Sequence, residues 1–374
     1  MKASMRLSTI TAVLVGSALA LTACGGSSGG STPTTGSGVD TAGVAAAQAV
    51  VDKYTTNPRA FPTVTPLKAK PTGKKFAYVA CSAPECIKMG DFIKEAAGLL
   101  GATVKQFNGG ATAQTISAAF DSALQSNPDV LMAVAFEPAS WSAQLTKAKA
   151  RHIPVLAWSI TTQPAATAVD ATYNGTPEFI ELGTVLADWA IADSKGTADA
   201  VVVWPPAIGV ITPVADGVKA EFAKHCTSCS IDGIEVPVTD LGTPRIPNRI
   251  VSYLQQHPKV KYVITGFGSM NLGVADALKA AGLSGIKLYT QGGSPSEYQA
   301  VKDGQQAVIL AKDLNMEGWV GVDTAAKLAT GQTPDRLTPP FQFLGKDDLT
   351  FDISQAWVAY PDFKDRFKKS WGLT

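Results

Sequence analysis

Histidine is nearly missing from the chain: His152, His225 and His257 are the only three in 374 residues. They are scattered over expected helix ends and loops, so no metal cluster and no histidine-based relay is suggested. Charge is also scarce, at 17% of residues with a formal net charge of +1. That figure falls to −1 if Lys2 and Arg6 are removed with a leader, which leaves no basic footprint for nucleic acid. After Leu21 no apolar run is long enough to span a bilayer. Gly266-Phe267-Gly268-Ser269 has the glycine spacing of neither a nucleophile elbow nor a dinucleotide fingerprint. A nucleic-acid binder, a spanning body and the common motif-bearing enzymes are thereby disfavoured. No cofactor is expected.

What is present begins at the N-terminus. Met1 to Arg6 carries two positive charges, and Leu7 to Leu21 is an apolar run too short to span comfortably. It ends in Leu21-Thr22-Ala23-Cys24, which resembles the lipobox of bacterial lipoproteins. The resemblance implies a signal peptide at 1–23, cleavage before Cys24 and lipid on its thiol. Gly25 to Gly38 (GGSSGGSTPTTGSG) reads as a flexible tether, and 24–74 as a lipid-anchored linker and lead-in. The expected location is extracytoplasmic, anchored to the cell membrane by lipid.

Export permits disulfides among the remaining cysteines. Cys226-Thr-Ser-Cys229 has the spacing of a redox or half-zinc motif, but no second pair lies nearby and it falls between a helix and a strand. A structural disulfide is the expectation, with redox chemistry and free thiols as the alternatives.

From Phe76 onward short apolar strands alternate with helices. The strands are Phe76 to Ala80, Thr103 to Phe107, Val130 to Ala135 and Pro154 to Trp158, with helices Ile87 to Leu100, Ala113 to Gln125 and Trp141 to Ala150 between them. The second half repeats the pattern from a helix at Phe179 to Asp193 through strands at Ala200, Ile231, Tyr262, Lys287 and Ala307 to a helix at Glu317 to Ala329. Continuous apolar strands with helical crossovers imply parallel sheets covered on both faces. The fold class is therefore α/β, with two doubly wound parallel-sheet lobes, hinge crossovers and a ligand cleft beyond the strands' carboxyl ends. The expected boundaries are 75–174 plus 292–330 for lobe 1, 175–291 for lobe 2, and 331–374 as a terminal segment along a lobe or the hinge.

The body from about Lys74 to Gly331 resembles the type I periplasmic solute-binding proteins of ABC transporters, the ribose-binding-like group. The resemblance rests on NPDVLMAVAFEP at Asn127 to Pro138, HIPVLAW at His152 to Trp158, HPKVKYVITGFGSMNLGVADALKAAG at His257 to Gly282, and AKDLNMEGWVGVDTAAKLATG at Ala311 to Gly331. Such families hold sugars with a strand-end Asp-Arg pair, an Asn-Asp pair and a later Asp and Gln. Here those positions read Trp158-Ser159, Phe267-Gly268, Gln291 and Lys312.

The bidentate forks that clamp vicinal hydroxyls are gone. Phe136, Trp158, Trp204 and Phe267 stand at strand ends instead, where rings favour flat or apolar ligands. Each alone reads equally as core packing; four together read as a lining. Ser159, Gln291 and Asn315 are the candidate hydrogen-bonding groups, with Glu85 and Glu137 as candidate acids. Glu85, at a helix start, also answers the helix dipole. Lys312 either neutralises a ligand carboxylate or pairs with Glu85 or Glu137. A Cys81–Cys86 disulfide would fix the loop at the cleft mouth.

The resemblance implies an extracytoplasmic, monomeric lipoprotein that captures a small organic molecule for ABC permease and ATPase subunits. The departures from the family's pattern favour an apolar or aromatic-compatible molecule over a simple sugar without excluding the sugar. A receptor for a membrane sensor kinase and a sugar binder with a non-standard pocket are the alternatives, and an enzyme is not expected. Closure on the ligand would hinge near Asn174 to Pro177, Gln291 to Ser294 and Lys312 to Asn315.

Overall fold

The computed structural model describes residues 39–56, 60–162 and 169–373. Cys24, the leader and the tether lie outside the described residues. No described helix is long and apolar enough to cross a membrane.

The first sheet has four parallel strands in the order β2-β1-β3-β4. These are β1 (Lys75–Ala80), β2 (Thr103–Asn108), β3 (Val130–Val134) and β4 (Val155–Trp158). Strands β1, β3 and β4 are buried almost throughout, as their unbroken apolar sequences require. Successive residues point to opposite faces. Phe76, Tyr78, Met132 and Trp158 pack beneath α2 (Pro84–Leu99) and α10 (Leu314–Ala329). Ala77, Val79, Leu131 and Ala157 pack beneath α3 (Ala113–Gln125) and α4 (Ser142–Ala150). Pro84 opens α2 in the position where a missing N–H costs nothing. Thr112 caps α3 by accepting from the Thr115 N–H at 3.2 Å.

The second sheet has six strands in the order β10-β9-β8-β7-β5-β6. They are β5 (Asp199–Trp204), β6 (Ser230–Glu235), β7 (Tyr262–Thr265), β8 (Lys287–Gly292), β9 (Val308–Lys312) and β10 (Phe341–Leu344). All run parallel except β10, which pairs antiparallel with β9. One face lies under α5 (Thr176–Asp193), α6 (Ile211–His225) and α1 (Thr41–Thr55). The other lies under α7 (Arg245–Gln256) and α8 (Val274–Ala280), with α9 (Pro295–Lys302) over the β9 end.

Two expectations about the boundaries are corrected. Strand β9 belongs to the second sheet, so the chain leaves that lobe at Asp313 and not near Gly292; Gln291 to Ser294 is no crossover. Residues 60–74 are not a free lead-in. The Phe61 ring meets Tyr360 and Phe367 edge-on at 5.3 and 5.9 Å, and the Leu67 N–H donates to the Ser370 carbonyl. The terminal segment is divided: β10 completes the second sheet, while α11 (Phe363–Ser370) packs into the first core.

Helices α5 and α6 approach closely because Gly183 and Gly217 stand at the crossing, where a Cβ would overlap the Val214 and Ile180 carbonyls. That closeness buries Asp188 of α5, whose carboxylate oxygens have no hydrogen-bond donor among the described residues, against Glu221 of α6. Burial first, then the Glu221 charge, pushes the Asp188 carboxyl up to about 8. An acid raised on folding favours the native state at low pH and loses that advantage as pH rises through its folded value. Asp188→Asn is therefore expected to melt a few degrees above wild type near pH 9 and level with it near pH 6. Calorimetric melts at the two pH values check this; an equal offset at both would refute it.

Candidate functional site

The carboxyl ends of the two sheets face a cleft with an inner chamber of about 120 Å³ and an outer one of about 640 Å³. Cys81, Ala83, Ala135, Ile208 and Phe267 line both. The first lobe adds Met89, Val134, Ser159 and Leu314 to the inner wall, and the second adds Phe179, Val210, Ile211 and Gln291. Strands β3 and β4 are each followed by a residue in the left-handed region, Ala135 (φ 61°) and Ser159 (φ 54°). Non-glycine residues are held there only at some cost, and both turns lie at the inner chamber wall.

Of the side chains singled out in the sequence, Glu85, Ser159, Phe267, Gln291 and Lys312 meet in the inner chamber. Gln291 donates to the Gly266 carbonyl at 2.9 Å, which fixes its amide. Phe136 and Glu137 line the outer chamber. The Phe136 ring packs edge-on to Phe120 at 5.6 Å. Glu137 accepts from the backbone N–H and hydroxyl of both Thr161 and Thr162, so its carboxylate ties a loop and is already fully used.

Three expected lining residues lie elsewhere. Trp158 is wholly buried between Tyr78 and Tyr173, stacked at 5.8 and 5.3 Å, and its Nε1 donates to Glu317 Oε1 at 3.0 Å. As the last residue of β4 it points toward α10, away from the cleft. Trp204 packs in the α5–α6 core with the Lys219 ammonium 4.1 Å over its ring. Asn315 is buried in the first turn of α10 and lines neither chamber.

Lys312 pairs with neither Glu85 nor Glu137. Its ammonium is 3.5 Å from Glu317 Oε2, in an ion pair whose side chains are only 16% and 1% exposed, and 5.4 Å over the Phe179 ring. Glu317 escaped the sequence reading because it looks like an ordinary acid in a helix's first turn, where the dipole favours one. Val210, Ile211 and Phe179 escaped because helix-starting apolar residues read as core.

Both cysteine pairs form disulfides, Cys81–Cys86 and Cys226–Cys229, with Cα–Cα separations of 5.5 and 5.3 Å. The first is itself chamber wall. The second closes the end of α6, remote from the cleft, and Cys229 Sγ accepts the Ala198 N–H.

Glu85 is raised by burial, against the pull of backbone groups, of Glu297 and of Lys312. Glu297 of α9 is raised by burial and by the Glu85 charge. Tyr78 and Tyr173 are raised by burial and by the Glu317 charge. An apolar chamber with a few fixed polar groups, several already bonded to one another, is built to hold a molecule by shape and a small number of hydrogen bonds.

Residues 79–333 match the family model described as periplasmic binding protein domain. Over 85 residues the chain is 34% identical to the ribose import binding protein of Escherichia coli, a stretch covering 23% of this chain and 29% of that protein. The chain thus spans less than a third of the length of the curated relatives it matches. Its fold is similar to an ABC transporter solute-binding protein from Agrobacterium vitis bound with alpha-D-tagatopyranose (TM-score 0.66, 19% identity, covering 74% of this chain and 96% of that chain). It is also similar to a 5-methylthioribose transporter solute-binding protein from Thermotoga lettingae (TM-score 0.67, 14% identity, 82% and 99%).

Proposed function

The chain belongs to the periplasmic binding protein domain family, and from that premise we propose that it captures a small organic solute between its lobes, outside the cytoplasm, and passes it to the permease and ATPase subunits of an ABC importer. In this reading lipid on Cys24 holds it at the membrane, and the protein binds its solute without converting it. The observation that carries the reading is the inner chamber, walled by both lobes at the carboxyl ends of their sheets.

The chamber's composition supports a solute with a mainly apolar or flat body. Met89, Val134, Ile211, Leu314 and the rings of Phe179 and Phe267 are among the apolar side chains that dominate its wall. Among the described residues, no arginine or aspartate clamp suited to vicinal hydroxyls lines the inner chamber. A sugar held in a non-standard pocket is the second reading, favoured by the sugars in the names of the similar structures. Glu85, Ser159 and Gln291 would then meet its hydroxyls.

Mass spectrometry of small molecules released from the purified protein identifies the solute, and calorimetry then tests the site. Phe267→Ala removes the ring shared by both chambers and is expected to weaken binding about tenfold to a hundredfold with the fold intact. Unchanged affinity would show that the solute binds elsewhere.

A further inference from the structure

Two acids from opposite lobes meet at the edge of the inner chamber. Glu85 sits in the first turn of α2, in the first lobe, and its carboxyl comes close enough to Glu297 and to the Ser269 backbone, both in the second, to interact with them. Glu297 is 3% exposed and is seated between Gly268 and Gly292, where a Cβ at either glycine would overlap its carboxylate. Its Oε2 accepts the N–H groups of Gly293 and Ser294 at 2.7 and 2.6 Å. Its Oε1 and the Oε2 of Glu85 are buried with no donor among the described residues.

Two ionised carboxylates in that position would repel and leave both oxygens unsatisfied. A single proton between them removes one charge and supplies the missing donor. The surrounding charges do not replace it. Lys312 at the end of β9 is engaged by Glu317 of α10. On α2, Lys88 pairs with Asp91 at the surface. Behind Glu297, Tyr298 of α9 receives the Trp357 N–H, and Asp313 at the lobe crossing is occupied by the N–H groups of Met316 and Ala359.

We propose that Glu85 and Glu297 form a proton-binding site between the lobes, so that closing the cleft takes up one proton. The inference rests on the reading that the lobes close on a solute. Burial raises both acids where they meet. Opening the cleft would return them to water, so in this proposal closure is favoured at low pH and weakened as pH rises through the raised values. For one proton the closed-to-open ratio, and with it solute affinity, falls by up to about tenfold per pH unit.

Small-angle scattering of the full chain without added solute, from about pH 6 to about pH 9, tests the site. Wild type is expected to expand with pH. Glu297→Gln supplies a permanent amide donor and is expected to stay compact throughout; Glu85→Gln gives the same test from the other lobe should the first variant fold poorly. Wild-type dimensions that do not change with pH, or amide variants that expand as wild type does, would overturn the proton site. Failure of the solute-capture reading would show separately, as unchanged calorimetric affinity in Phe267→Ala at neutral pH.

Discussion

Trp158→Ala will destabilise the first lobe by about 3–5 kcal/mol rather than simply enlarge the cleft. The indole is fully buried, stacks on Tyr78 and Tyr173, and gives Glu317 its only neutral hydrogen-bond donor among the side chains of the described residues. Removing it leaves a cavity between β4 and α10 and a less satisfied buried carboxylate. A fall in Tm of more than about 6 °C by circular dichroism is expected. A variant that melts as wild type does and only loses solute would restore Trp158 to the binding surface. The contrast with Phe267→Ala, expected to change affinity with little loss of stability, separates core from lining by experiment.

Lys327→Met will cost a similar amount, about 3–5 kcal/mol, for an electrostatic reason. Lys327 has no exposed surface and donates to Asp323 Oδ2 at 2.6 Å and Asp335 Oδ2 at 2.7 Å. Asp323 is buried too, and its other oxygen accepts the Trp371 indole N–H. Asp335 binds the backbone and hydroxyl of Thr65. One ammonium thus joins α10, the C-terminal helix and the segment leading into β1. Burial raises Asp323 against the pull of Lys327; hydrogen bonds from Lys327 and Thr65 hold Asp335 low despite its own burial. Without the lysine, Asp323 is a buried charge with no counterion. The double variant Asp323→Asn with Lys327→Met is expected to recover most of the loss in a denaturant double-mutant cycle. Additive losses would show that the two side chains act independently.

The α/β alternation was legible because VLMAV in β3 and VLAW in β4 are too short and too continuous for anything but strands buried on both faces. The same continuity hid the site. An unbroken apolar strand carries no polar rhythm to say which residue ends toward a helix and which toward a cleft, so Trp158 and its neighbour Ser159 could not be told apart by pattern. Trp204 failed for the same reason. Helix α9 went unread because PSEYQAVK offers few apolar positions, and Glu297 went with it. The Lys312–Glu317 pair spans the return from one lobe to the other, a juxtaposition set by topology and not by spacing. The terminal aromatics did carry a signal: Phe363, Phe367 and Trp371 recur every four residues, one face of a helix, and that face is buried in the first core.

Residues Ala356 to Tyr360 run as a seam between the lobes. Ala356, Val358 and Tyr360 face the first core, and Trp357 and Ala359 face the apolar cluster of the second. The seam is bonded to Asp313, whose own N–H reaches the Pro340 carbonyl. Three passages of chain are thereby joined at one residue, two of them through its carboxylate and the third through its backbone N–H. A joint fastened in this way would resist shear and twist more than rotation about the line through it, so the proposed closure would follow a single arc. In the proposed importer, the permease would then meet one reproducible outline of the filled state instead of a family of them.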